Sequence, residues 1–139
     1  MITIQKSIRI REKTIKEIEQ IARESGKEFS SVTNELLDEA VKTQRCPGII
    51  FTEGTTGRRA RIAGTGIEVW EVIATYKGLD ENFTRLRKAY HRLTEQQLKS
   101  AVGYYRTYPE DIDNLIKQNE MLTPEYIREK YPFLARDNR

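Results

Sequence analysis

Histidine and cysteine, which often act as catalytic or metal-binding side chains, are scarce in this sequence of 139 residues. It contains one histidine, His91, and one cysteine, Cys46, which cannot build an ordinary Cys/His zinc site or a Cys–His nucleophile pair. The carboxylates Glu110, Asp111 and Asp113 lie at the predicted start of a helix, where the helix dipole already accounts for them. Glycine-rich phosphate loops, nucleophile elbows and metal-ligand spacings are absent from the sequence. We therefore predict that the protein is not an enzyme, has no catalytic residues and uses no metal or cofactor.

Basic side chains concentrate near the N-terminus. Residues 1–16 contain five lysines and arginines against one acidic residue, a local charge of +4 (five minus one) in a chain whose net charge is +3. The five are Lys6, Arg9, Arg11, Lys13 and Lys16. A basic arm indicates an anionic partner, and nucleic acid is the commonest such partner. On charge alone, a solvated terminus explains the pattern equally well.

The composition is that of a small, polar chain. Charged residues make up 32% and hydrophobic residues 37%, so there is little material for a large core. The length allows one ordinary domain or two small ones. No apolar run approaches the roughly 18 residues of a membrane span, and Met1 is not followed by a basic and then apolar leader. A single cysteine fits a reducing compartment. The expectation is a cytoplasmic protein without a membrane partner.

The first segment alternates between apolar and polar residues. Isoleucines occupy positions 2, 4, 8 and 10, and polar residues occupy the odd positions from 3 to 11. A period of two predicts a strand with one wet face over residues 2–11. Helical spacing then predicts a helix over about Glu12–Ser25 that Gly26 ends, followed by a second helix capped by Ser30 or Ser31.

A single strand followed by two helices lacks a partner strand within these 45 residues. Its backbone groups would remain without hydrogen bonds, and so short a unit buries too little apolar surface to fold stably alone. Pairing with the same strand of a second chain solves both problems and predicts an isologous homodimer. The alternative is that the strand joins a sheet formed by the rest of the chain. Few strands are predicted there, so we favour the homodimer.

The stretch from Lys6 to Lys42 resembles a ribbon-helix-helix DNA-binding domain. The resemblance lies in the Ser-Ile-Arg-Ile strand and the turn Gly26-x-x-Phe29-Ser30-Ser31-Val32. In that family a two-stranded antiparallel ribbon, one strand from each chain, enters the major groove of double-stranded DNA. The resemblance therefore implies a DNA-binding homodimer.

The resemblance also implies which side chains contact DNA. Gln5, Ser7 and Arg9 would face base edges, since arginine can fork onto guanine, glutamine onto adenine, and serine onto either. Backbone N–H groups near Ser30 and Ser31 would hold a phosphate through the helix dipole. Three further basic side chains are candidate phosphate contacts: Lys6, Arg11 and Lys13.

A second, mostly helical module is predicted after Cys46-Pro47-Gly48. It begins with two short apolar runs, Ile49–Thr52 and Ala60–Ile62, which predict a small hairpin or two irregular extended pieces. Four helices follow: one from Glu68 to about Lys77, one capped by Asp80, one opened by a Thr94-x-x-Gln97 capping box, and one with Pro109 in its first turn. Trp70 is expected to anchor the core of this module. The helices between Asp80 and Arg106 have the spacing of a helix-turn-helix.

Residues Gly57 to Asp113 resemble the family catalogued as domain of unknown function 433. The run Arg61-Ile62-Ala63-Gly64-Thr65-Gly66-Ile67-Glu68-Val69-Trp70 carries the resemblance, followed by Leu93-Thr94 and a final Tyr-Pro-Glu-Asp. This chain has Gly66 where the family usually has Arg, and Glu68 where it has Pro. The resemblance implies a homeodomain-like helical arrangement. It also implies the role of a VapB-type antitoxin paired with a PIN-like ribonuclease.

Two further surfaces are candidates for binding. The arginines and lysines at 85, 87, 88, 92, 99 and 106 could contact DNA phosphates, although an ordinary solvated helix face has the same density and is the interpretation we favour. The C-terminal tail opens a short helix at Thr123-Pro124. Four apolar side chains there form a candidate partner interface: Tyr126, Tyr131, Phe133 and Leu134. Packing of the tail on its own chain is an equal alternative.

Together these patterns predict a mostly α (α+β) chain with three parts. Residues 1–45 would form the ribbon-helix-helix domain, residues 49–120 the helical module and residues 121–139 the tail. The predicted function is the antitoxin of a type II toxin–antitoxin pair. It would act as a homodimeric repressor on a double-stranded DNA operator and neutralise a PIN-like ribonuclease toxin, without a small-molecule substrate. The alternative is a dimeric adaptor, or a stand-alone transcriptional regulator without a toxin.

Overall fold

The protein is represented by a computed structural model that describes residues 2–54, 57–119, 124–130 and 132. The chain divides into two compact units, Met1–Lys42 and Thr43–Arg139. The described residues are mostly helical, with one antiparallel hairpin, and the predicted α+β class is confirmed.

The first unit contains an extended N-terminal segment and two helices. Helix α1 spans Glu12–Ser25, as the spacing predicts, and ends at Gly26, whose φ of 67° is left-handed. The N–H of Lys27 donates to the carbonyl of Ala22 at 3.0 Å, which satisfies a carbonyl of the last turn. Helix α2 then begins at Phe29 and spans Phe29–Arg45.

The second unit begins with a hairpin and continues through five helices among its described residues. The strands are β1 (Ile49–Gly54) and β2 (Gly57–Ile62), and the helices are α3 (Val69–Gly78), α4 (Phe83–Ala89), α5 (Glu95–Thr107), α6 (Pro109–Gln118) and α7 (Pro124–Lys130). The hairpin register pairs Ile49 with Ile62 and Thr52 with Arg59. Because paired residues share a face, one face of the hairpin carries buried apolar side chains and the other carries Thr52, Arg59 and Arg61.

Helix α3 lies at the centre of the second unit. Its Val69, Val72 and Ile73 are fully buried, and α3 contacts β2 and each of the helices α4 to α7. The surrounding core contains Leu86, Leu98, Tyr104 and Ile112. The ring of Phe51 meets that of Tyr104 edge to face, with centroids 6.2 Å apart, which joins the hairpin to α5.

In the second unit, two predicted helix starts are confirmed and one predicted cap is wrong. The predicted box at α5 is present: Thr94 Oγ1 accepts from the N–H of Gln97 at 3.0 Å, and Gln97 Oε1 accepts from the N–H of Thr94 at 2.8 Å. Pro109 lies in the first turn of α6, as predicted. The predicted cap Asp80 is wrong. Its φ is +55°, so it belongs to the preceding turn, and Asn82 caps α4 by accepting from the N–H of Arg85 at 3.0 Å.

None of the helices in the described part of the chain is both long and apolar enough to cross a membrane.

Candidate functional site

The N-terminal segment exposes both of its faces. Residues 2–10 form neither helix nor strand in the single chain, and their backbone leads into α1 through Arg11, whose φ and ψ of −58° and 139° are extended. Ile2 is 91% exposed, Ile4 is 85% exposed and Ile8 is 67% exposed. An alternating set of large apolar side chains in water is unfavourable, so this segment has the character of an interface.

The predicted DNA-contacting side chains lie on this exposed segment or just beyond it. Gln5, Ser7 and Arg9 are exposed and occupy alternate positions between the isoleucines. The candidate phosphate contacts are also exposed: Lys6, Arg11 and Lys13. Within the described part of the chain, Arg9 forms no ion pair, so its guanidinium remains available for an external acceptor. An intermolecular ribbon involves a second chain and remains a prediction.

Ser30 and Ser31 do not cap α2. The helix begins at Phe29, so both serines lie inside its first turn, and neither hydroxyl forms a hydrogen bond with a described residue. Side chains one turn later bond backwards instead: Thr33 Oγ1 donates to the carbonyl of Phe29 at 2.8 Å, and Asn34 Nδ2 to that of Ser30 at 3.0 Å. Both serines are exposed beside the N–H groups of the first turn, which have no intrahelical acceptor.

The helices of the first unit leave much apolar surface uncovered. The buried cluster of this unit has three members in the described residues, Ile18, Ala22 and Val32. Leu37 is 53% exposed and Val41 is 54% exposed. Further large apolar side chains with substantial exposure are Ile21, Phe29 and Leu36. The predicted apolar side of α2 is therefore only partly covered within its own chain.

A polar cleft of about 450 Å³ lies in the second unit. Its lining comes from the hairpin, the start of α3 and the end of α6: Glu53, Gly54, Arg59, Arg61, Glu68, Trp70 and Asn119. Trp70, expected in the core, packs against the core and also lines this cleft. The sequence shows the basic cluster and the tryptophan, but nothing in it shows that they meet.

Two hydrogen bonds order the cleft. Arg61 Nη1 donates to the carbonyl of Gly66 at 3.2 Å, and Trp70 Nε1 donates to Glu68 Oε2 at 2.8 Å. Arg61 and Glu68 are antiparallel bridge partners, which places their side chains beside each other. The buried polar atoms of this face that form no hydrogen bond with a described residue include Arg61 Nε and Thr52 Oγ1.

Several ionisable groups in the second unit are perturbed. Burial raises the pKa of Glu71, and the neighbouring Glu68 carboxylate raises it further. Burial raises the pKa of the Tyr104 phenol, with a further contribution from Asp111. The clearest cluster joins α3, α5 and α6: Asp113 Oδ1 accepts from Lys77 Nζ at 2.9 Å and from Tyr105 Oη at 2.8 Å.

The basic side chains around α4 and α5 do not form one uniform surface. Arg87, Lys88 and Arg92 are exposed, but Arg85 is only 4% exposed. A guanidinium so deeply buried does not reach a DNA phosphate, so Arg85 is removed from the candidate phosphate contacts. Arg87 is 4.0 Å from a carboxylate oxygen of Glu95, the distance of a weak surface ion pair.

The predicted partner interface of the tail falls largely outside the described part of the chain. Helix α7 is present at Pro124–Lys130, where a short helix was predicted. The described residues do not include Tyr131, Phe133 or Leu134. The side chain of Tyr126 also lies outside the described part of the chain. Among the described residues, no group of three or more His, Cys, Asp or Glu side chains could hold a metal ion.

Comparison with known proteins gives one family and one solved structure. Residues 49–105 match the family described as "Protein of unknown function (DUF433)". A crystal structure of a DUF433 member protein from Anabaena variabilis is similar at 30% sequence identity, with a TM-score of 0.43. The match covers 78% of this chain and 99% of that one. No curated protein matches the chain.

Proposed function

We propose that this chain, whose residues 49–105 are a DUF433 domain, is a homodimeric DNA-binding repressor that also serves as an antitoxin. The observation that supports the proposal most is the exposed alternation of the N-terminal segment. Its isoleucines form one set, and Gln5, Ser7 and Arg9 form the other. The isoleucines suit an interface with a partner strand, and the polar side chains suit contacts with base edges.

The apolar surface that the first unit leaves uncovered supports dimerisation. Two antiparallel copies of residues 2–10 would pair their backbone groups and turn the isoleucines of both chains towards the helices. The half-exposed Leu37 and Val41 on α2 provide apolar surface for the same interface. Burial of such side chains contributes roughly 25 cal/mol per Å², which makes association favourable where the isolated unit is marginal.

DNA binding would combine a few base contacts with attraction to phosphates. Arg9 supplies the strongest base contact, a bidentate fork onto guanine, and Lys6, Arg11 and Lys13 supply positive charge along the backbone. The N–H groups around Ser30 and Ser31 supply a further phosphate contact. Because phosphate contacts release counterions, affinity should fall steeply as the salt concentration rises.

The antitoxin role concerns the second unit. The resemblance to proteins paired with PIN-like ribonucleases supports it, and the proposed arrangement leaves the DUF433 domain free to hold the toxin while the first unit holds DNA. Co-expression with the neighbouring reading frame tests this role. A nuclease that co-purifies with the chain and is inactive until separated is the expected result, and an active nuclease that does not co-purify contradicts it.

The DNA-binding role is tested by a mobility shift with the DNA upstream of the gene. Arg9→Ala should weaken operator binding by about 1–3 kcal/mol and relax one base preference. Arg23→Ala is the matched control, because it removes the same charge from an exposed site at the end of α1. Equal binding by Arg9→Ala and the parent would remove Arg9 from the interface. A dimer that shows no sequence-selective band would favour the alternative, an adaptor.

A further inference from the structure

We propose that the polar cleft of the DUF433 domain binds a small ligand that carries both an oxyanion and an amino group. The arginine side chains would hold the oxyanion, and the carboxylates beside them would hold the amino group. This proposal does not depend on DNA binding or on a toxin, because it rests on the cleft alone.

The arginines give the cleft its anion-binding chemistry. Arg59 and Arg61 are two residues apart on β2, so their side chains leave the strand on the same face and both line the cleft. One nitrogen of Arg61 is committed to the carbonyl of Gly66, which fixes the guanidinium in place. Its Nε is buried and has no acceptor among the described residues, so a ligand would meet the part of the guanidinium that lines the cleft. A guanidinium fixed at the wall of the cleft suits a carboxylate or a phosphate.

Two carboxylates and the side-chain amide of Asn119 give the cleft hydrogen-bond acceptors as well as the arginine donors. Glu68 and Glu53 line it together with Asn119, so hydrogen-bond acceptors face the same space as the guanidinium groups. Glu68 uses Oε2 for the indole N–H of Trp70 and retains its other oxygen. A ligand with an anion alone would meet these carboxylates unfavourably. A ligand that also carries an amino group would satisfy both kinds of side chain.

The size and the walls of the cleft fit a small molecule. Its volume of about 450 Å³ lies within the range of roughly 300–1,000 Å³ found for small-molecule sites. Trp70 contributes an aromatic surface on which a flat ring can pack. Gly54 lies close to the same wall: a Cβ built there would be 3.3 Å from Arg59 Cγ and 3.9 Å from Glu68 Oε1. The absence of that atom keeps space between the two charged side chains.

Two sources of such a ligand can be told apart. An α-amino acid such as phenylalanine has a carboxylate and an ammonium group, and AMP has a phosphate and the amino group of adenine. Trp70 is the only tryptophan of the chain, so its fluorescence reports directly from the cleft. We expect a saturable change in this fluorescence with one of the two ligands. Adenosine and inorganic phosphate, which carry one feature each, should bind at least about tenfold more weakly than AMP if AMP is the ligand.

Variants test whether the fluorescence change depends on the arginines of the cleft. Arg61→Gln should weaken binding of that ligand by about tenfold or more, and Arg61→Lys by less, because lysine keeps the charge but loses the fork. Arg58→Gln is the matched control. It removes the neighbouring arginine, which does not line the cleft and instead bonds to Glu53 and to the carbonyl of Phe51. Thermal unfolding of each variant tests whether the fold is retained. Arg59→Gln replaces Arg61→Gln if the latter does not fold.

Three results would overturn the proposal. One is the lack of a saturable response to either ligand up to about 10 mM, confirmed by equilibrium dialysis of the parent chain. The second is binding that is unchanged in both Arg59→Gln and Arg61→Gln. The third is an equal loss of binding in Arg58→Gln, which would indicate general charge attraction instead of a site.

Discussion

At the scale of single residues, the carboxylate of Asp113 links three helices of the second unit through hydrogen bonds. Its carboxylate accepts hydrogen bonds from Lys77 on α3 and Tyr105 on α5, while Asp113 itself belongs to α6. The Lys77 ammonium also lies 4.8 Å from the centre of the Tyr105 ring. Three helices therefore meet at one carboxylate. Lys77 holds the pKa of Asp113 below its ordinary value, with burial opposing and Tyr105 assisting that shift.

This pKa shift gives a pH-dependent prediction. Because the folded-state pKa of Asp113 is lower than its unfolded value of 3.8, its contribution to stability is present above that value and is lost as the pH falls through the lower folded-state pKa. Asp113→Asn should therefore reduce the free energy of unfolding at pH 7 by roughly 0.5–1 kcal/mol, since the pair is half exposed. Below the folded-state pKa, the parent and the variant should unfold alike.

A double-mutant cycle isolates this contact. Lys77→Met and Asp113→Asn are compared singly and together in urea unfolding, at neutral and at acid pH. Burial alone would lower the pKa of Lys77, but its interactions with Tyr105 and Asp113 raise it, so the lysine stays charged throughout this range. Additive effects at neutral pH would show that the contact contributes nothing.

At the scale of elements, the start of α5 depends on its capping box. Thr94 and Gln97 satisfy each other's backbone N–H groups, with side-chain distances of 3.0 Å and 2.8 Å. Thr94→Ala leaves an N–H of the first turn without its acceptor and should cost about 1 kcal/mol of stability. Thr94→Ser keeps a hydroxyl and is the matched control. Thermal unfolding measures both, and equal losses would mean that the methyl group of Thr94 matters and the cap does not.

The local features of the sequence predicted most elements because their causes are local. Gly26 ends α1 through a left-handed φ, and the Thr94–Gln97 pair opens α5, each within one turn of the chain. Asp80 does not cap α4 because Asp80 and Glu81 both have positive φ and form the turn before the helix, and the sequence pattern gives no sign of that turn. Ser30 and Ser31 do not cap α2 because the helix already begins at Phe29, before both serines.

The polar cleft could not be predicted because its causes are not local. Arg61, Trp70 and Asn119 come from a strand, a helix start and a helix end, and only the packing of the second unit brings them together. The burial of Arg85 could not be predicted either, because it too depends on tertiary packing. Its position on a charged helix suggests a solvated side chain, yet the fold buries it. Periodicity places a residue on a face, but tertiary packing decides whether that face is covered.

At the scale of the whole molecule, the two units differ in how far each completes its own core. The buried cluster of the second unit draws on its hairpin and on helices α3 to α6. That of the first unit contains Ile18, Ala22 and Val32 among the described residues. Units of about 40 residues seldom bury enough apolar surface to fold alone, and oligomerisation is one of the usual remedies. A homodimer would therefore stabilise the first unit, and the same pairing would form the proposed DNA-binding surface.

The homodimer is tested by the mass of the chain in solution. The parent should sediment at twice 16.3 kDa at micromolar concentration. Ile8→Asp should shift the chain towards a monomer and loosen α1 and α2, because it places a charge where two strands and four helices would meet. Ser7→Asp, one residue away on the opposite side of the predicted strand, should remain dimeric and lose DNA binding through repulsion of phosphates. Sedimentation equilibrium and a mobility shift together separate these outcomes. A monomeric parent would contradict the homodimer, and a dimeric Ile8→Asp would move the interface away from the N-terminal segment.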